Sequence, residues 1–500
     1  LVDVLLTHSY HLFYDRKQVR KMQPYPPLGT LYAAALLMQK GFSVALFDSM
    51  LSDPTEGFPE ALQKHHPKVV AIYEDNFNFL SKMCLSRMRE VAFEMVDAAR
   101  LTGATVVVHG SDSSDHCAEY LARGADYVLV GEAEWTLLEV VDSLIKDLKR
   151  DPMSIPGVAY SPNRDRRVIR SPHRPLMRDL DQLPFPARDL IDMDLYRQAW
   201  RDAHGFFSLN LVASRGCPYR CNWCAKPIYG DSFHVRSPES VAEEMWQLRE
   251  KFGADHLWFA DDLFGINNRW IQIFADQVSR RNAAIPFKVQ SRADLMRNED
   301  AVAALARSGC AEVWMGVESG SQKVLDAMDK GIHIEQVLRA RHNLKQHGIR
   351  ACFFLQFGYP GETWGDIQKT AHMVRQAHPD DIGVSVSYPL PGTRFYQRVR
   401  EELGAKSNWV DSDDLAMMFK GAYTSEFYRA VRDALHAEVE SWSSREERQF
   451  RLRDVSAPAA FVGPDPVTEL WNRVEQLEPV CRNSDATVLP VLACSAVGFD

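Results

Sequence analysis

The chain has 500 residues, 46% apolar and 25% charged, the balance of a soluble globular protein large enough for several domains with sizeable cores. Its net charge of −9 lacks the basic footprint of a general nucleic-acid binder, and no apolar run reaches the length that spans a membrane. Nine cysteines in so long a chain do not make the dense framework of a secreted disulfide scaffold, so a reducing, cytoplasmic setting is expected.

The chain opens on a short apolar stretch with no basic flank and no cleavage site, which reads as a buried strand and not as a signal peptide. Strands are expected at residues 2–7, 43–47, 69–73, 105–108 and 127–130, with helices at 31–39, 81–101, 115–122 and 135–149. Strands that alternate with helices imply a parallel sheet covered on both faces. Residues 1–150 are therefore read as an α/β, doubly wound Rossmann-like or flavodoxin-like domain. Ligands of such sheets lie beyond the carboxyl ends of the strands, here near the loops that start at Thr7, His109 and Gly131. Residues 151–205 are punctuated by Pro152, Pro156, Pro162, Pro172, Pro175, Pro184 and Pro186 and read as a linker. Within it, 157–161 and 167–171 are expected to pair as a small hairpin.

From 206 to 400 the alternation resumes. Strands are expected at 209–213, 256–259, 287–290, 312–316, 351–357 and 383–388. Helices are expected at 237–251, 269–280, 300–308, 322–328, 334–347 and 363–377. Ser237 followed by Pro238 suits the cap and first position of the first of these helices. Six such units fall short of a closed eightfold barrel and suit an open, partial (β/α)6 barrel, with right-handed crossovers placing every strand carboxyl end at one mouth. Residues 401–500 read as a mainly helical region rich in aromatics (Trp409, Phe419, Tyr423, Phe427, Tyr428, Trp442) that becomes an irregular tail from about Val455.

The segment Ser214-Arg215-Gly216-Cys217-Pro218-Tyr219-Arg220-Cys221-Asn222-Trp223-Cys224 directly follows the first barrel strand. Three thiols spaced Cys-x3-Cys-x2-Cys on one mouth loop reach three corners of an iron–sulfur cluster, whose irons favour soft thiolates. A fully ligated four-iron cluster takes four cysteines; with three, one iron stays open for another ligand. A zinc site calls for a further cysteine pair or histidines, and none stands nearby in sequence. Arg215, Arg220 or Lys226 is expected to offset the cluster's negative charge. Cys84, Cys117, Cys310, Cys352, Cys481 and Cys494 are scattered and read as small buried hydrophobes.

This loop, in this place, resembles the hallmark of the radical S-adenosylmethionine (SAM) superfamily, and the resemblance runs from about Leu209 to Tyr396. It implies that Cys217, Cys221 and Cys224 hold a 4Fe–4S cluster, that SAM chelates the open iron, and that one-electron reduction yields methionine and a 5′-deoxyadenosyl radical. It also implies cofactor contacts at strand ends: Trp223 near the adenine, Asp261 or Asp262 for the SAM amino group, Arg292 for its carboxylate or ribose, and Glu318 with Ser319 beside the ribose or methionine. The turns Gly358-Tyr359-Pro360-Gly361-Glu362-Thr363 and Pro389-Leu390-Pro391-Gly392-Thr393 match positions after the fifth and sixth strands.

The doubly wound domain before the barrel resembles the cobalamin-dependent class of this superfamily. The carrying segments are Pro26-Pro27-Leu28-Gly29-Thr30-Leu31, Val108-His109-Gly110-Ser111-Asp112 and Val130-Gly131-Glu132-Ala133-Glu134. The resemblance implies that Gly110, Ser111, Gly131 and Glu132 line a corrinoid. The Asp-x-His-x-x-Gly motif that supplies a cobalt-ligating histidine in many cobalamin proteins is absent, and the loop after the fourth strand reads His109-Gly110-Ser111 where the class usually has two glycines. The implied activity is hydrogen abstraction from a substrate carbon followed by methyl transfer from methylcobalamin, on a small molecule, sizeable and apolar or planar, with flavodoxin or ferredoxin as electron donor. Cyclisation, oxidation or rearrangement without net methylation is the alternative, and a non-enzymatic iron–sulfur electron carrier or sensor is the alternative from another class.

Overall fold

The computed structural model describes residues 1–148, 150–162, 167–404, 406–451 and 466–483. Its first sheet is built from β1 (Val4–Thr7), β2 (Val44–Phe47), β3 (Val69–Tyr73), β4 (Thr105–His109) and β5 (Tyr127–Leu129), all parallel in the order β2-β1-β3-β4-β5. Helices α1 (Arg16–Lys21), α2 (Leu28–Gln39), α3 (Pro54–His65), α4 (Phe79–Lys82), α5 (Ser86–Leu101), α6 (Ser111–Asp115), α7 (Cys117–Arg123) and α8 (Glu134–Ile145) fill the connections. Alternate strand residues serve two cores: Val4, Leu6, Ala71 and Val107 pack with α2 and α8, while Leu5, Val70, Ile72, Val106 and Val108 pack with α3 and α5. Burial on both faces explains why these strands read as unbroken apolar runs.

Four details depart from the sequence reading. Helix α3 is not foreseen, since Gly57 and Pro59 interrupt it and Phe58 and Leu62 alone among its apolar side chains after Pro54 are buried; its start is fixed by the Asp53 side chain accepting from Thr55 N at 2.8 Å. The helix expected over 81–101 is two, because Cys84 takes a left-handed conformation (φ +54°) between α4 and α5. The helix expected at 135–149 ends at Ile145; position 149 lies outside the described residues. The expected hairpin forms as β6 (Val158–Tyr160) and β7 (Ile169–Arg170), but it is not free linker: β6 pairs antiparallel with β5 and extends the sheet to seven strands.

After α9 (Met193–His204) comes the second sheet. Its strands β8 (Ser208–Leu211), β11 (His256–Phe259), β12 (Phe287–Ser291), β13 (Cys310–Glu318), β14 (Arg350–Phe357) and β15 (Asp381–Val386) lie parallel in chain order, so the six-unit open barrel is borne out. A short ladder, β9 (Ser214–Arg215) with β10 (His234–Val235), sits just beyond β8. Helices α10 (Pro238–Glu250), α11 (Asn268–Arg280), α12 (Glu299–Ser308), α13 (Gln322–Ala327), α14 (Ile334–Gln346) and α15 (Trp364–Ala377) clothe the convex side, and Ser237 caps α10 as expected, accepting from Ser240 N. The other strand face leaves Trp258, Lys288, Gln290, Trp314 and Phe354 only half-buried, with Trp314 stacked on Phe354 at 4.8 Å.

The two sheets are sewn together by the chain between β1 and α2. Trp200 Nε1 donates to Pro24 O (2.6 Å) and Asn210 Nδ2 to Pro26 O (2.9 Å), and Tyr25 meets Ser208. Past β15 come α16 (Arg394–Val399), α17 (Ser425–Arg451) and α18 (Pro466–Cys481). Helix α18 corrects the irregular-tail expectation: Leu470, Trp471, Val474, Leu477 and Cys481 make one apolar stripe against α17, and Tyr423 donates to Glu478 at 2.6 Å. The rest of that expected tail, 455–465 and 484–500, lies outside the described residues, as does Cys494.

Candidate functional site

The thiols stand where the spacing puts them, on the loop that leaves β9 at the mouth of the half-barrel. Gly216 makes the turn possible. It has φ +79°, and a Cβ there would lie 2.2 Å from Ser232 O, so only glycine fits. Lys226 Nζ donates to the carbonyls of Cys217 (2.9 Å) and Tyr219 and pairs with Asp231, closing the loop on itself. Asn222 anchors its far side. Its Nδ2 donates to Ala327 O (2.7 Å) and Asp329 Oδ2 (2.9 Å), its Oδ1 accepts from the Tyr359 hydroxyl (2.8 Å), and its backbone joins Met328 O and Phe395 N.

Cys217, Cys221 and Cys224 are half-buried and free. Burial, with the neighbouring thiols adding to it, pushes the Cys224 thiol up to about 12, and burial raises Cys217 as well. The iron-free loop therefore holds neutral thiols there, and metal binding must displace their protons. Among the described residues no three Cys, His, Asp or Glu side chains converge as ligands of one ion. Thiolates bound to separate irons of a cluster stand farther apart than that.

The strand ends around the loop hold the other expected residues. Arg292 is buried with its guanidinium 3.7 Å from the centre of the Tyr219 ring; its Nη1 lies 3.9 Å from Cys221 Sγ, and it donates to Lys330 O (2.8 Å) and Asp294. Glu318, at a β-bulge with φ +64°, pairs with the buried Lys330 at 2.7 Å. Burial opposes the Lys330 charge, but Glu318 overcomes it and raises its pKa. Asp262 forms an ion pair with Lys82 of α4, from the first domain. Asp261 is buried and accepts from Ser214 Oγ and Ala213 N; burial pushes its carboxyl up to about 7. Ser319 is fully buried, its hydroxyl 3.2 Å from Thr370 Oγ1 and accepting from Ser321 N. Trp223 packs beside Met328, Tyr359 and Phe419, and its buried Nε1 has no partner.

The first domain presents its strand carboxyl ends to this mouth. His109 donates from Nε2 to Gly131 O (2.9 Å) and accepts at Nδ1 from Asn76 (3.3 Å), and burial lowers its pKa to about 4, so it is neutral with both nitrogens engaged. His8 is likewise held on both sides, by Asp48 and Ser49. Gly110 (φ +153°) leads into Ser111, whose buried hydroxyl lacks a partner, as does Asn76 Oδ1. Gly131 (φ +80°) has open space beside its α-carbon.

Arg215 corrects one expectation, because it does not face the cluster loop. Its guanidinium turns into the first domain, with Nη1 on Glu132 Oε1 (2.5 Å) and Nη2 on Glu134 Oε1 (2.8 Å), all three side chains no more than 5% exposed. Glu132 is thereby engaged at both oxygens, since its Oε2 accepts from Met177 N at 2.6 Å. Removing one member of such a buried ionic group costs roughly 3–5 kcal/mol. Sequence reading singled out the cysteines but missed Asn222, Lys330 and Lys82. Their partners lie in other elements, and no local pattern marks them.

Residues 211–374 match the Radical SAM superfamily. That stretch runs from β8 into α15 and contains the cysteine loop. The chain is 27% identical over 417 residues to an uncharacterised methyltransferase of Pyrococcus horikoshii, covering 82% of this chain and 86% of that one. It is 24% identical to the bacteriochlorophyllide d C-8(2)-methyltransferase of Chlorobaculum tepidum, with the same two shares. Among solved structures, the radical SAM methyltransferase TsrM of Kitasatospora setae, with cobalamin and a 4Fe–4S cluster bound, superposes with a TM-score of 0.65 at 19% identity over 80% of this chain and 75% of that one. The cobalamin-dependent radical SAM enzyme OxsB, with aqua-cobalamin and SAM bound, superposes with a TM-score of 0.69 at 16% identity over 96% of this chain and 71% of that one. The chain thus shares the two-domain fold of these two structures. Among the described residues no helix is long and apolar enough to cross a membrane.

Proposed function

We propose that this chain is a cobalamin-dependent radical SAM enzyme that transfers a methyl group to carbon of a small molecule. The observation that carries the reading is the meeting of two mouths: the Cys217–Cys221–Cys224 loop at the open end of the half-barrel lies against the strand ends of a doubly wound domain, with Arg215 bridging to the Gly131–Glu134 loop.

The residues suit the groups they would hold. Three free thiols on one pinned loop match the corners of a 4Fe–4S cluster with one iron left for SAM. Unpartnered buried polar atoms stand ready on both sides, Trp223 Nε1 in the barrel and Ser111 Oγ and Asn76 Oδ1 in the first domain, which suits ligands rich in polar edges. Because both nitrogens of His8 and of His109 are engaged, neither supplies a cobalt ligand without breaking its network. When bound, the cluster and SAM supply a carbon-centred radical and the corrinoid supplies the methyl group; the protein's work is placement and exclusion of water. Asn222 and Lys226 fix the thiol loop, Arg292 and Lys330 bring positive charge beside Cys221, and Asp262, Arg292 and Glu318 are the polar groups offered to SAM. Gly110, Ser111 and Gly131 are the positions offered to the corrinoid. A sizeable apolar or planar substrate suits the stacked Trp314 and Phe354 on the open face of the barrel. A flavodoxin or ferredoxin in the cytoplasm is the proposed electron source, and no nucleic acid is involved.

The test is purification with hydroxocobalamin and anaerobic reconstitution with iron and sulfide, followed by counting bound iron and corrinoid. About four irons per chain, lost when the three cysteines become alanine, plus one corrinoid are expected. Iron without corrinoid ends the cobalamin reading, and no cysteine-dependent iron ends the whole.

A further inference from the structure

Arg215 sits two residues before the first cluster cysteine, yet its side chain is spent in the other domain. Its guanidinium is boxed by three rings, Tyr32 of α2, Phe77 beyond β3 and Tyr229 of the cluster segment, at 5.5, 5.4 and 5.1 Å. Two carboxylates, Glu132 from the loop after β5 and Glu134 at the start of α8, take its two terminal nitrogens. Burial opposes the charge on Arg215, and Glu134 and Glu132 overcome it. The same loop is held from behind, by His109 on Gly131 O and by Met177 N on Glu132. On the cluster side Gly216 follows directly, packed so closely that a Cβ there would lie 2.2 Å from Ser232 O. The connection from Cys217 to the strand ends of the first domain is therefore one stiff path through buried, paired groups, whereas a long lysine on the surface would give only a loose tether.

We infer that Arg215, with Glu132 and Glu134, is a positioning group that fixes the distance and angle between the cluster loop and the corrinoid-facing loops of the first domain. It touches neither cofactor; it sets the register in which the barrel mouth and the first domain present theirs. This rests on the cobalamin reading above. Planarity is central to the argument: an arginine can engage two carboxylates at once, one through each terminal nitrogen, and so resist rotation of one domain on the other, and a lysine ammonium is a single point that cannot.

The experiment uses the full chain loaded with cluster and corrinoid. Pulsed electron paramagnetic resonance measures the distance distribution between the reduced cluster and cob(II)alamin in the parent, Arg215→Lys, Glu134→Gln and Glu132→Gln. The expected result is unchanged iron and corrinoid content with a distribution at least twice as wide in Arg215→Lys, and a smaller broadening in each glutamine variant, which preserves shape and leaves Arg215 in place. Should Arg215→Lys fail to retain its cofactors, the glutamine variants carry the comparison. A distribution of the same mean and width in parent and variants overturns the inference while leaving the cobalamin reading intact. A parent that binds iron but no corrinoid overturns the cobalamin reading first, and the inference with it, before any variant is compared.

Discussion

Asn222 gives the sharpest test of how the cluster loop is built. It is 2% exposed and lies between Cys221 and Cys224, so the ordering of the loop passes through it. Asn222→Ala removes three side-chain hydrogen bonds: two donated, to Ala327 O and Asp329 Oδ2, and one accepted from the Tyr359 hydroxyl. Each is worth about 1 kcal/mol net, and the bond to Asp329 is kept at that figure because its partner is 45% exposed and water screens it. The sum is about 3 kcal/mol, roughly a 100-fold shift from anchored toward free loop. In the reconstituted protein, iron should pass to a strong chelator about two orders of magnitude faster, and the melting temperature of the iron-free chain should fall by several degrees. Asn222→Asp should do no better, since it puts a carboxylate oxygen where the donor faced Ala327 O and Asp329. Chelator release within a factor of a few of the parent, with an unchanged melting temperature, would refute the view that this residue pins the loop.

Gly216→Ala should lose more than half of its bound iron on reconstitution, because its Cβ would meet Ser232 O at 2.2 Å with φ +79°. Gly361→Ala, with φ +81° but nothing near its added carbon, should keep it, as iron analysis of the two will tell. Arg292→Gln removes a cation whose Nη1 is 3.9 Å from Cys221 Sγ. The midpoint potential of the cluster should fall by on the order of 100 mV in a redox titration, with a much smaller change in Arg292→Lys. Burial lifts the Glu362 carboxyl from 4.5 to about 8 in the folded chain. Between those values the folded state keeps a proton the unfolded chain has lost, so its contribution is full at low pH and is lost as pH rises through about 8. Glu362→Gln should flatten that slope by on the order of 4 kcal/mol in urea unfolding of the iron-free chain at about pH 5 and pH 8.5; identical slopes would show the carboxyl is ionised at neutral pH.

What the sequence could announce and what it could not divide along a physical line. Period-two and period-3.6 apolar patterns come from local geometry, so the strands of both sheets and nearly every barrel helix were readable from them. Where the local signal was poor the reading slipped: α3 carries Gly57 and Pro59 inside it, and α5 is cut from α4 by a single left-handed cysteine. The stripe of α18 was present but followed a stretch without period, and it went unread. At the site the asymmetry is sharper. Cys217, Cys221 and Cys224 announce themselves because ligands on one short loop must be close in sequence to be close in space. Arg215 stood in the same motif and was assigned to the cluster's charge, which is the natural reading when nothing says that Glu132 and Glu134 of another domain lie opposite. Lys330 with Glu318, Lys82 with Asp262 and Asn222 with Tyr359 depend in the same way on what folding brings together. The chemistry of such a site is written in contiguous residues, and the placement of that chemistry is written in pairs remote in sequence. A substitution in the Arg215, Glu132 and Glu134 group should therefore leave the iron count nearly unchanged while altering the geometry in which the cofactors meet.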